Sequence, residues 1–151
     1  MSTLPIDKTV YYLCTNDITV ASIIAKRMYP GVAPQTINPE THQYLSYTFS
    51  GVKYIHTLLG RDTDCSRDLI ISGICNSEIN RMALTKAIVD VLDPIGGPWP
   101  KTVTVEGESI ILQGCFLEEG GEDFEEPGLW EEGSDTFVYP FKQTYKISYS
   151  I

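Results

Sequence analysis

Along the 151 residues the spacing of apolar positions shifts from helical to alternating, back to helical, and finally to alternating again. In "IDKTVYYLCTND" the residues Ile6, Val10, Leu13 and Cys14 recur at helical spacing. "DITVASIIAKR" opens on Asp17, a residue type that accepts from the free N–H groups of a helix start, and sets Ile18, Ala21, Ile24 and Ala25 on one face. Two short helices are predicted. Pro30, Pro34 and Pro39 then hold "YPGVAPQTINPE" extended, because each fixes its own backbone and biases its predecessor away from helix.

Alternation follows. "QYLSYTFS" turns Leu45, Tyr47 and Phe49 one way and Ser46 and Thr48 the other, the period of a half-buried strand. "GVKYIHTLLG" continues the extended region. "SRDLIISGIC" packs Leu69, Ile70, Ile71 and Ile74 so closely that burial on both faces, and a central place in a sheet, is expected.

"SEINRMALTKAIVDVLD" is the clearest helix. Ser77 stands at the cap, Ile79, Met82, Ala83, Ala87, Ile88, Val91 and Leu92 form the expected apolar stripe, and "DPIGGPW" ends it. About 15 residues span about 22 Å, enough to lie across four or five strands.

The last third is strand, loop, strand. "KTVTVEGESIILQGCF" alternates, breaks at Gly107 and resumes. "TFVYPFKQTYKISYSI" puts Phe137, Tyr139, Phe141, Tyr145, Ile147, Tyr149 and Ile151 on odd positions, interrupted at Gln143, opposite a mostly polar even face. The predicted fold class is α+β: a mixed, mainly antiparallel β-sheet flanked by helices, one domain over residues 1–151. A chain of this length suits a single core.

Charge changes that picture at one place. The chain carries 20 acids against 11 bases, and "FLEEGGEDFEEPGLWEEGSD" holds nine of the acids: Glu118, Glu119, Glu122, Asp123, Glu125, Glu126, Glu131, Glu132 and Asp135. Elsewhere acids and bases balance. Residues 118–135 are therefore expected to be a long acidic hairpin loop between the last two strands, far beyond the two to five residues of a usual hairpin. Its Phe124, Leu129 and Trp130 are apolar, and a loop that only repelled its surroundings would not need them; they are expected to anchor it. A basic nucleic-acid-binding surface would need the opposite balance, and the Lys and Arg residues are scattered singly.

Catalytic and metal signatures do not assemble, so no enzyme and no cofactor are expected. Cys14, Cys65, Cys75 and Cys115 lack the close spacing of a zinc knuckle or redox pair and read as free buried thiols. His42 and His56 lie in or beside strands, without a nucleophile in a strand-to-helix turn. "GGPWPKT" follows a helix rather than opening one, unlike a phosphate loop. In "DTDCSRD" Asp62, Asp64, Ser66 and Asp68 alternate like the start of a calcium loop. The required sixth-position glycine and twelfth-position glutamate are Arg67 and Gly73. The acidic stretch has clustered carboxylates but no fixed turn to converge them on a cation. The N-terminus lacks the charged and apolar regions of a signal peptide, and no apolar run reaches membrane-spanning length, so a cytosolic, non-membrane protein is expected.

One resemblance unites these features. "RMYPGVAPQ", "HTLLG" after the second strand, the strand "CSRDLIISGIC", the helix "INRMALTKAIVDVLDPIGG" and the closing "FKQTYKISYSI" together resemble the tail terminator, or tail completion, proteins of long-tailed bacteriophages, over nearly the whole chain. The resemblance implies a structural virion protein, assembled in the host cytoplasm, that sits at the tail–neck junction. It implies a homo-oligomer: a hexameric ring that caps the tail tube, stops its polymerisation, meets a neck or head completion protein and leaves a channel for transient passage of double-stranded DNA. A head–tail connector of similar fold is the alternative, and a small metal-binding module a third. A strand-rich chain ending in a long aromatic strand suits that role, because exposed edges are safest when closed in an oligomer. Tyr145, Ile147 and Tyr149 are the expected core or oligomer-edge residues of that strand. The acidic stretch is longer than the family pattern. Facing the channel, its carboxylates would repel passing DNA over about a Debye length, near 10 Å at 0.1 M salt.

Overall fold

A computed structural model describes residues 4–34, 42–120, 126–129 and 137–150. The elements run α1 (Ile6–Thr15), α2 (Ile18–Ile24), β1 (Met28–Pro30), β2 (Tyr44–Phe49), β3 (Lys53–Thr57), β4 (Gly60–Cys75), α3 (Glu78–Leu92), β5 (Lys101–Val105), β6 (Glu108–Glu119), β7 (Gly128–Leu129) and β8 (Phe137–Ser150). This is the α+β arrangement expected. Residues 35–41 of the proline-rich segment lie outside the described residues.

The helix starts are set by side chains. Asp17 Oδ2 accepts from the Val20 N–H at 3.1 Å, and Ser77 Oγ accepts from the Asn80 N–H at 3.1 Å, each satisfying a donor that has no partner within its helix. Ala25 (φ 47°) and Lys26 (φ 66°) adopt left-handed backbone, which stops α2 and turns the chain into β1.

The main sheet path is β1-β2-β4-β8-β6-β5, with β3 paired to β4 and β7 to β8. β1 and β2 are parallel, and the other pairs are antiparallel. β4 and β8 form the spine, in register from Asp64↔Ser150 to Cys75↔Tyr139. Leu69 and Ile71 of β4, Tyr145, Ile147 and Tyr149 of β8, and Leu112 and Cys115 of β6 are buried in one core with Val10 and Cys14 of α1, Val20 and Ile24 of α2, and Leu84, Ile88 and Leu92 of α3. The helices therefore cover one face. The other face carries Ser66, Asp68 and Ser72 of β4 and Lys142, Thr144, Lys146 and Ser148 of β8, all half-buried or exposed, the one-sided pattern of an antiparallel sheet.

Three expectations need correcting. The stripe of α3 is rotated: Ile79 is 79% exposed and Met82 56%, Ala83 is exposed too, and Arg81 is 4% exposed. Arg81 turns inward because the core offers it partners. Its Nη1 donates to the Pro140 carbonyl at 3.0 Å, its Nη2 meets Glu78 Oε2 at 2.6 Å, and its guanidinium stacks 5.0–6 Å class distance from an aromatic face, 5.5 Å from the Tyr139 ring centre. In β8, Phe137 is exposed and Val138 buried, so the odd-position rule begins only at Phe141. Pro140 lies at that change of phase, and it has no N–H to give a ladder. In β4, Ile70 and Ile74 are half-buried rather than enclosed, because no helix covers their face; the strand is central all the same.

Two details tighten the spine. Gln143, the polar interruption, is fully buried: its Nε2 donates to the Thr85 carbonyl at 3.2 Å and its Oε1 accepts from the Tyr145 hydroxyl at 2.8 Å, tying β8 to α3. Gly73 sits between Phe141 and Leu45 on the flanking strands. A Cβ there would lie 2.2 Å from the Phe141 ring, so the ring fits only over glycine.

Candidate interaction surface

The core holds no poised nucleophile. Cys14 is fully buried, and burial, with the Asp17 carboxylate adding to it, pushes its thiol up to about 12. Burial pushes Cys75 up to about 12 as well, opposed by the Arg81 charge, and raises Cys115. Such thiols stay protonated at neutral pH, and the thiolate is the reactive form. His42 and His56 are exposed. Among the described residues no three His, Cys, Asp or Glu side chains converge on a metal position, and no helix is long and apolar enough to cross a membrane. The chemistry on offer is that of surfaces.

The acidic hairpin is one of them. Glu118 and Glu119 are exposed at the end of β6, where Glu119 pairs with Thr144, so the strand runs further into the acidic stretch than the sequence suggests. Glu126 is exposed. Leu129 lies in β7, whose backbone pairs Gly128↔Val138 and Leu129↔Phe137. A short strand thus folds part of the connection back along β8. Glu122, Asp123, Phe124, Glu125, Trp130, Glu131, Glu132 and Asp135 lie outside the described residues. At the root of the hairpin Gly120 (φ 89°) approaches the Lys142 carbonyl so closely that an added Cβ would lie 2.0 Å from its oxygen.

Tyr145, Ile147 and Tyr149 are 0%, 0% and 5% exposed, and β8 is flanked by β4 and β6. They belong to the folded core of the single chain. The ends of the strand path are β1 and β5 instead. β1 is three residues long and stops at Pro30, a short edge of the kind that discourages uncontrolled pairing.

Two further surface features stand apart from these. The β3–β4 hairpin turns through Leu58 and Leu59 between the paired Thr57 and Gly60, and both leucines are fully exposed, at 106% and 100%. Gly60 (φ 115°) supplies the backbone that closes the turn. The register of β4 with β8 ends at Asp64, so the tip projects past the end of β8.

The second feature is an open cleft of about 510 Å³ beside the end of β1, lined by Pro5, Ile6, Asp7, Pro30, Gly31, Tyr47, Thr48, Phe49 and Arg67. Its Arg67 is held in place, with Nε donating to the Ser50 carbonyl at 2.8 Å and the guanidinium 5.0 Å from the centre of the Phe49 ring. Burial, and then the nearby Asp7 carboxylate, raises the Tyr47 phenol, consistent with a partly desolvated wall. Sequence reading missed both features. "HTLLG" passes for a strand end, and the cleft joins α1, β1, β2 and β4 from distant parts of the chain.

No protein-family model matches the sequence, and no curated protein matches it. Among solved structures the chain is similar to a chain described as "Virion of native gene transfer agent (GTA) particle". The TM-score is 0.60 at 17% sequence identity, over 94% of this chain and 92% of that one. At that identity the likeness is one of fold.

Proposed function

We propose that the chain is a non-enzymatic structural protein of a phage-type virion, and within it the tail terminator: a ring of six copies at the tail–neck junction that caps the tail tube, stops its growth, meets a neck or head completion protein and leaves a channel for DNA. The observation that carries this reading is the shared fold, nearly end to end, with a chain of a gene transfer agent virion. The sequence resemblance to tail terminators points the same way. A fold with buried, protonated thiols and no converging metal ligands among its described residues is compatible with an architectural role.

In this reading the helix-covered sheet is the scaffold and the exposed features make the contacts. The acidic hairpin, with the nine carboxylates from Glu118 to Asp135, faces the channel or a neighbouring ring, and Phe124, Leu129 and Trp130 anchor it. Six such hairpins around a duplex repel it electrostatically and keep it from adhering, an effect that weakens as salt shortens the screening length.

Purified protein added to polymerising tail tubes tests the proposal. The expected result is tubes of arrested length with a ring of density at one end. Tubes that grow unchecked, with the protein bound to head connectors instead, would overturn the terminator assignment in favour of a connector.

A further inference from the structure

We infer that the Leu58–Leu59 tip of the β3–β4 hairpin docks into the cleft between α1 and the β1–β2 edge of a second copy of this chain. The inference rests on the ring reading and supplies it with a subunit contact.

Three observations converge on that occupant. The first is shape. Two adjacent leucines are fully exposed on a projecting two-residue turn, and the cleft has an apolar wall of Pro5, Ile6, Pro30, Tyr47 and Phe49. Its volume of about 510 Å³ falls within the roughly 300–1,000 Å³ of pockets that enclose ligands larger than two leucine side chains.

The second is reach. Arg67 lines the cleft and belongs to the same continuous strand as Gly60 at the tip. Seven residues at about 3.3 Å each separate them by roughly 20 Å, so a tip cannot fold back into its own cleft. Knob and socket on one rigid strand must therefore be joined between molecules. A contact between two different patches is the kind that closes into rings when the rotation allows.

The third is charge. From Lys53 to Arg61 the hairpin has two cations and no carboxylate before Asp62, whereas the rest of the chain has 20 acids against nine bases. The tip is thus complementary to the chain that carries it. In the cleft Arg67 is already engaged by Ser50 and Phe49, and Asp7 is exposed on the wall. A cationic hairpin approaching an acidic copy of itself is attracted before the leucines make contact.

Cysteine pairs at the two sites test the contact on the full chain. The native cysteines are buried and do not compete. The double variant Leu58→Cys with Thr48→Cys should oxidise into a reducible ladder of two, three and more chains, while each single variant runs as one chain on a denaturing gel. In parallel, Leu58→Ser with Leu59→Ser should keep the melting temperature of the parent and lose its assembly. If the parent assembles, no ladder forms and the serine variant assembles like the parent, the docking site is wrong and the ring reading stands. If the parent is a single chain at every concentration and no ladder forms, both fall.

Discussion

β4 contains two regions with opposite surroundings. From Leu69 to Ile74 it is paired on both edges, by β2 and β8, and Leu69 and Ile71 are fully buried beneath the helices. At its other end it turns through the β3 hairpin to a tip with two fully exposed leucines. The same strand serves as core and as projection. Burial of a leucine is worth about 1.5–3 kcal/mol, so the inner half contributes to folding what the outer half leaves available for association. That difference separates substitutions that unfold the chain from those that only stop it assembling.

The largest expected effect lies at the inner end. Replacing Tyr145 or Ile147 with Asp puts a carboxylate where the core has no solvent, and the chain should fail to fold, losing more than about 4 kcal/mol; denaturant melts followed by circular dichroism report it. A soluble, cooperatively folded Asp variant would break the assignment of these residues to the core. Next comes Gly73→Val, which drives side-chain atoms into the Phe141 ring and Leu45 and should cost about 1–3 kcal/mol without changing the secondary structure.

Alkaline pH probes the same core. The Cys14 and Cys75 thiols have an ordinary value of 9.0 and are pushed up to about 12 in the fold. Below about pH 9 both are protonated in folded and unfolded chains, and they give no pH dependence. Above it the unfolded chain loses protons that the folded chain keeps, so stability should fall from about pH 9 to about pH 12, at roughly 1.4 kcal/mol per pH unit for each thiol. Cys14→Ala with Cys75→Ala should flatten that slope; an unchanged slope would place its origin elsewhere. Tyr145→Phe is milder. It leaves the Gln143 Oε1 without the hydroxyl that donates to it and should cost about 1 kcal/mol.

The smallest effects are expected outside the core. Leu58→Ser with Leu59→Ser should change stability by less than about 0.5 kcal/mol, as exposed substitutions do. Glu118→Gln with Glu119→Gln and Glu126→Gln should likewise leave the fold intact, and impair a later step such as DNA passage or partner docking. A large loss of thermal stability in either set would erase the contrast between the two regions.

How much of this was legible in the sequence follows the range of the interactions. The starts of α2 and α3 could be read because Asp17 and Ser77 cap through bonds three residues away. The alternation of β8 from Phe141 onward was equally plain. The rotated face of α3 was not, because what draws Arg81 inward is the Pro140 carbonyl, 59 residues away. Phe137 was misplaced for a related reason: the change of phase at Pro140 has no signature in a simple odd–even count. The hairpin tip was hidden by its own residue types, since leucines suggest burial and a tight turn is expected to use Asn, Asp or Gly. The acidic stretch announced itself through charge alone, and six of its nine carboxylates lie outside the described residues.

Light scattering on the purified full-length chain tests the central claim, that the exposed features join copies into a closed ring. The account predicts one species of six times the 16.9 kDa chain mass, unchanged as concentration rises further. A single-chain mass at every concentration, or a mass that grows without limit, would contradict it.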